Sequence, residues 1–315
     1  MSDLKLRPFE ASDYPAVVAV YNALNPKSPI TVAEAQDFDK RFEADLFGDS
    51  VAELNGEVVA ELRVVRSQMG KNALKLELNL HPSYSNTARQ RQLLEMGVAE
   101  AVEHRPSALF VTVRENWPGW LELLEAEGFR ELERQWPSYL DLTSFDPAPF
   151  ESAFAKAEAA DVHFGTLAEL PDTLETQRQV YEAVAHVLLP GVPFAEPLEI
   201  WDFETWQTRA WNNPNLLREG YFLAWHGDTI IGVSQLYKTS EPDKLSTGLT
   251  AVREAYRRKG VAMSLKLKAI AFAYSYGAAQ ITTSNHSINR PMLSINEALG
   301  FVKAPAWVTL KKELS

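Results

Sequence analysis

The chain contains no cysteine, which excludes disulfides, thiolate zinc sites, iron–sulfur ligation and a cysteine nucleophile together. Histidine is scarce. The six histidines, at 81, 104, 163, 186, 226 and 286, never fall within five residues of one another, so no local metal motif exists and no metal is expected. Nowhere do 18 apolar residues follow one another, and the N-terminal MSDLKLRPFEASDY carries charge where a signal peptide needs an apolar core. A soluble, cytoplasmic protein is expected, with no membrane partner. Basic charge is in deficit: 31 Lys and Arg against 42 Asp and Glu leave a net charge of −11. Such a surface repels nucleic-acid phosphate and anionic lipid, so no nucleic acid is expected as partner. The phosphate loop Gly-x-x-x-x-Gly-Lys-Ser/Thr, the dinucleotide fingerprint Gly-x-Gly-x-x-Gly and the hydrolase elbow Gly-x-Ser-x-Gly are all missing.

What is present is length and repetition. At roughly 150 residues per domain, 315 residues make about two domains, and 46% hydrophobic residues are too many for disorder. The stretch Ala52-Glu-Leu-Asn-Gly56-Glu-Val-Val-Ala-Glu-Leu62 has the shape of Leu223-Ala-Trp-His-Gly227-Asp-Thr-Ile-Ile-Gly-Val233, and the two glycines lie 171 residues apart. Ala108–Val113 resembles Ala279–Thr283 at the same offset, and Leu124–Phe129 resembles Asn296–Phe301 at 172. Trp136–Leu142 and Trp307–Leu314 then read as two closing strands, one per half. This repetition implies two copies of one mixed α/β unit. The prolines of Thr143-Ser-Phe-Asp-Pro-Ala-Pro and the Ala/Glu-rich run after them set the expected division: domain 1–145, linker 146–160, domain 161–315. In each half a turn-linked strand pair is antiparallel, whereas the strand–helix–strand passage from 245 to 283 needs a parallel crossover, so a mixed sheet is expected.

Between the strand 245–252 and the long helix 261–276 lies Val252-Arg-Glu-Ala-Tyr-Arg257-Arg-Lys-Gly260-Val-Ala262-Met. Small residues there leave backbone N–H groups uncovered, a helix start has four such donors without intrahelical partners, and Arg257, Arg258 and Lys259 add charge. Together these make an anion site suited to pyrophosphate. On residues alone the alternative is a solvated basic turn shaped by Gly260.

Arg257-x-x-Gly260-x-Ala262, followed some thirty residues later by Asn289-Arg-Pro-Met-Leu-Ser-Ile-Asn-Glu-Ala-Leu-Gly300-Phe301, resembles the GCN5-related N-acetyltransferase (GNAT) superfamily. With the repeat, the whole chain resembles bacterial proteins with two GNAT domains. The resemblance implies an α/β (α+β) chain of two tandem GNAT-like domains, each a mixed, mostly antiparallel sheet flanked by helices. It implies acetyl-CoA as co-substrate of the C-terminal copy. Ala251 and Val252 would pair with pantetheine, the turn through Arg257, Arg258, Lys259, Gly260, Val261, Ala262 and Met263 would hold the pyrophosphate, and Asn289 would contact the cofactor arm. The first copy departs from the pattern: Ser85-Asn-Thr-Ala-Arg-Gln90 puts Ala88 against the glycine and lacks the basic triplet, so it reads as degenerate. Where the family places a tyrosine acid this chain has Asn296, which can hydrogen-bond sulfur but cannot donate a proton as an acid.

The expected reaction is transfer of an acetyl group to a primary amine of a small molecule, by direct attack in a ternary complex. The alternative is a non-catalytic acyl-CoA-binding or regulatory protein. The segment 188–206, an insertion relative to the first copy, reads as a substrate-covering loop and helix on the acceptor side. Glu199 and Glu204 are candidate bases, beside Glu196, Asp202 and His186. Trp201, Trp206 and Trp211 read as core or inter-domain packing rather than ligand-stacking residues.

Overall fold

The computed structural model describes residues 3–26, 29–195 and 198–314. In chain order the elements are β1 (Lys5–Pro8), α1 (Tyr14–Leu24), α2 (Val32–Phe42), β2 (Leu46–Leu54), β3 (Glu57–Arg66), β4 (Ala73–Leu80), α3 (Thr87–Val102), β5 (Ala108–Arg114), α4 (Trp120–Ala126) and β6 (Arg130–Asp141). There follow α5 (Ser152–Glu158), β7 (His163–Thr166), α6 (Leu174–Ala183), α7 (Phe203–Trp206), β8 (Phe222–His226), β9 (Thr229–Lys238), β10 (Lys244–Val252), α8 (Val261–Tyr276), β11 (Gln280–His286), α9 (Arg290–Ala298), β12 (Val302–Lys303) and β13 (Trp307–Glu313). The expected repeat is visible in this order. Asn55 and Gly56, both at positive φ, close the β2–β3 hairpin with the turn that matches strand twist, and Gly227 does the same for β8–β9.

The chain forms two compact units. The first takes in Met1–Gln135, Ala195–Glu199 and Pro305–Ser315, and its strands run β1-β2-β3-β4-β5-β13-β6. All neighbouring pairs in it are antiparallel except β4 with β5. Leu74, Leu76, Leu78 and Leu80 alternate into a core with Leu93 and Leu94 of α3, closed by Trp120 and Phe129. Each such side chain removed from water contributes roughly 1.5–3 kcal/mol. The intervening Lys75, Glu77 and Asn79 look the other way, where Asn79 donates to Glu61 at 3.0 Å and Arg63 to Asp39 at 2.8 Å.

The second unit takes in Trp136–Phe194 and Ile200–Ala304. Its strands run from the end of β6 through β11-β10-β9-β8-β7, with β12 also on β6. Here β10 and β11 form the parallel pair. The residues expected as a linker, 146–160, lie inside this unit, largely as α5. Along β10, Ala251 enters a core with Val180, Tyr181, Val184 and Leu188 of the α6 run, while Val252 enters one with Val261 and Leu265 of α8. With the period of two along a strand, α6 and α8 therefore cover opposite faces of the sheet. In α6, Leu174 stands 57% exposed in the first turn, whereas Val180 is buried.

One expectation is overturned. Trp307–Leu314 does not close the second half, nor Trp136–Leu142 the first. Val308 and Leu310 of β13 are fully buried in the first unit's core, between β5 and β6, and Leu140 and Leu142 are buried in the second unit's core. Each closing strand delivers its apolar residues to the other copy's sheet.

Candidate functional site

In the second unit the parallel pairing of β10 and β11 runs over Lys244–Ser246 and Gln280–Thr282 and then stops. β10 continues, paired with β9, to Val252. The two strands thus open a wedge at the C-terminal end of β10, where a slender ligand arm can pair with unengaged backbone. A bulge between Thr247 and Thr250 lies beside the opening, and the Leu249 N–H within it donates to Gln235 Oε1 at 3.0 Å.

Beyond Val252 the chain makes a short turn over Glu254–Tyr256 and enters α8 through Gly260, at φ +80° with no side-chain cap. A Cβ on Gly260 would overlap the Ala153 carbonyl of α5 and meet Lys156 Cβ at 3.2 Å. Close packing against α5, added to the left-handed φ, makes glycine obligatory here. The first backbone bond of the helix is Ser264 N–H to Gly260 O. The six consecutive N–H groups from Arg258 to Met263 find no acceptor among the described residues. They gather at the positive end of a 16-residue helix, a geometry that favours negative charge. Arg258 and Lys259 are exposed beside it, and Lys259 Nζ stands 5.0 Å from the Tyr256 ring.

The remaining sequence candidates fall in varied places. Arg257 directs its guanidinium to the carbonyls of Val252 and Gly191. Asn289 is the N-cap of α9 and accepts from the Met292 N–H. Asn296 is 3% exposed; its Nδ2 donates to Asn285 Oδ1, and its own Oδ1 has no hydrogen-bond partner among the described residues. Glu199 lies in the first unit, where its N–H donates to the Gln68 carbonyl. Glu204 is exposed at the start of α7, and Asp202 caps that helix. Bonds from Thr205 hold the Asp202 carboxyl below the usual range, which makes it a poor base. His186 is exposed, 4.0 Å from Glu182. Glu196 lies outside the described residues. Trp206 and Trp211 are buried in the core under α6, as expected, and Trp201 packs against it.

One residue went unnoticed in the sequence. Lys266, in α8, is 2% exposed; its Nζ has no hydrogen-bond partner among the described residues and stands 4.9 Å from the Phe301 ring. Burial lowers its pKa from the ordinary 10.5 to about 7. The signal available was weak, since Lys266 is one of two lysines, with Lys268, in a largely apolar helix.

Residues 185–301 match the sequence model of the acetyltransferase (GNAT) family. That match falls almost entirely within the second unit. No curated protein sequence matches the chain. Among solved structures, a GCN5-related N-acetyltransferase from Sphaerobacter thermophilus aligns with a TM-score of 0.75 at 20% identity, over 98% of this chain and 95% of its own. A tandem GNAT protein from the clavulanic acid biosynthesis pathway aligns with a TM-score of 0.72 at 21% identity, over 99% and 98%. The whole chain accordingly has the tandem GNAT fold.

The first unit repeats the GNAT wedge, since β4 and β5 pair over Ala73–Leu76 and Ala108–Val111 and then part. Its helix start is different. The cap position of α3 is taken by Asn86, not by Ala88 as aligned from sequence, and the Asn86 side chain accepts from the Arg89 N–H at 3.0 Å. Arg89 is turned onto the Tyr84 carbonyl, and buried Gln90 bridges Ser85 and Pro118. Where the helix start in the second unit has no side-chain cap, this one is capped by its own Asn86.

Proposed function

We propose that the second unit binds acetyl-CoA and transfers its acetyl group to a primary amine of a small molecule, by direct attack in a ternary complex. The observation that carries this reading is the uncapped start of α8, with six open N–H groups beside Arg258 and Lys259. Backbone donors and mobile cations suit a diphosphate, and the wedge between β10 and β11 suits the arm that leads from it to the thioester.

In this reading the neutral amine attacks the thioester carbonyl carbon, the carbon–sulfur bond breaks, and the thiolate of CoA takes a proton. A free alkylamine is mostly protonated at pH 7, so a base must act first. Glu204 fits best in the second unit, since its carboxylate has no hydrogen bond or ion pair among the described residues. Glu199, in the first unit, is the weaker candidate. Asn296, whose amide nitrogen donates to Asn285, supplies no acid, and the thiolate's proton comes from water or from the proton the amine loses on attack.

A second reading, a non-catalytic acyl-CoA-binding protein, is favoured by one observation: the buried Asn296 is engaged with Asn285 and supplies no acid. Calorimetric titration with acetyl-CoA should give one site per chain, and an amine screen should release CoA. Binding without release supports the second reading. No binding refutes both.

A further inference from the structure

Arg257 opens the loop motif, yet its guanidinium is engaged elsewhere. Nε donates to the Val252 carbonyl at 3.2 Å and Nη2 to the Gly191 carbonyl at 2.7 Å. Val252 ends β10, the strand that borders the wedge. Gly191 ends a helical run in which α6 passes into a π-turn, Val184–Leu188, and a 3₁₀ turn, Leu189–Gly191. That run covers the sheet face opposite α8. One planar fork therefore holds the last residue of the wedge strand and the last residue of the facing run, 66 positions away. A lysine can donate to either carbonyl, but it lacks the rigid fork that reaches both. Position 191 is shaped for the contact, since a Cβ there would stand 2.9 Å from Nη2.

We infer that Arg257 is a positioning residue: it clamps the acceptor-side run to the end of β10 and so sets the distance between residues 189–191 and the loop that holds the acyl donor. The words donor and acceptor rest on the function proposed above; the clamp itself does not.

The test is hydrogen–deuterium exchange of the full chain without ligand, read at residues 184–194. Arg257→Lys keeps the charge and removes the fork, whereas Gly191→Ala keeps Arg257 and crowds Nη2. Each should speed exchange in that segment about tenfold, the low end for loss of a hydrogen bond to a charged group. The double variant should exchange no faster than the faster single variant, because both break one contact. Arg258→Ala should leave the segment unchanged. Wild-type exchange in Arg257→Lys would overturn the inference. With an amine that is turned over, Arg257→Lys should raise the acceptor KM about fivefold and move the acetyl-CoA KM less than twofold. A rise in the acetyl-CoA KM alone would make Arg257 a phosphate ligand and overturn the positioning role. If no amine is turned over, the exchange experiment still decides the clamp, and the proposed activity fails separately.

Discussion

Replacing Lys266 by methionine should stabilise the second unit, and the effect should depend on pH in a defined way. The ammonium is buried without a hydrogen-bond partner among the described residues, 4.9 Å from the Phe301 ring, and its pKa falls from 10.5 to about 7. Between those values the unfolded chain holds the proton and the folded chain does not, so stability rises with pH across this window and the lysine weighs most at and below pH 7. Linkage gives a burden of about 4 kcal/mol at pH 7 and about 2 kcal/mol at pH 9. Methionine nearly conserves the volume and removes the charge. Lys266→Met should therefore raise the melting temperature of the second unit by about 10 °C at pH 7, and the gap between variant and wild type should narrow by about half at pH 9. Scanning calorimetry over pH 6 to 9 measures both. An unchanged melting temperature, or a gap that does not vary with pH, would show that Nζ finds a polar partner in solution.

Other perturbations read other parts of the molecule. Arg258→Ala with Lys259→Ala should weaken acetyl-CoA binding about tenfold in low-salt calorimetry, and the difference should shrink as salt screens the exposed cations. Gly260→Ala combines a left-handed φ with overlap on the Ala153 carbonyl; a loss of at least about 2 kcal/mol is expected in urea unfolding, and wild-type stability would refute the packing. Asn86→Ala removes the α3 cap and should cost about 1 kcal/mol while leaving acetyl-CoA at one site per chain. Burial pushes the Glu61 carboxyl from 4.5 up to about 7, so its destabilising charge develops as pH rises through that range. Glu61→Gln should add about 3 kcal/mol at pH 8 and almost nothing at pH 4.5.

Much of the second unit could be read before the fold was known, because its signals are local. The helix Val261–Tyr276 is bracketed by Gly260 and Gly277, and the hairpins are marked by Gly56 and Gly227. The loop 257–263 was legible as an open helix start for the same reason: small residues and a helix start are neighbours in sequence. What escaped depends on residues far apart. The Arg257 charge could not be assigned to Gly191, 66 positions away, from a motif that attributes it to phosphate. Gly260 was explained by ligand approach or by the turn it shapes, whereas the packing of Ala153 of α5 also requires it. In the first copy the glycine was matched to Ala88, and only the helix start shows that Asn86 holds the cap.

The exchange of closing strands has a different origin, and the repeat itself produces it. A strand is committed to a sheet by which of its faces is apolar and by the register of its partner. Trp136–Leu142 and Trp307–Leu314 were recognised because they look alike, so either could satisfy either sheet by local pattern. Alternation in β13 buries Val308 and Leu310, and in the end of β6 it buries Leu140 and Leu142. Nothing in that alternation distinguishes one core from the other. The choice is made by the path of the chain: β6 pairs with β13 as far as Gln135, and from Trp136 onward the same strand belongs to the second unit. Removing β13 should therefore damage the copy that lies far from it in sequence. A chain ending at Ala304 is expected to lose cooperative unfolding of the first unit, because Val308 and Leu310 leave a gap between β5 and β6. If the truncated chain instead melts with the first unit intact, the exchange is not what holds that sheet together.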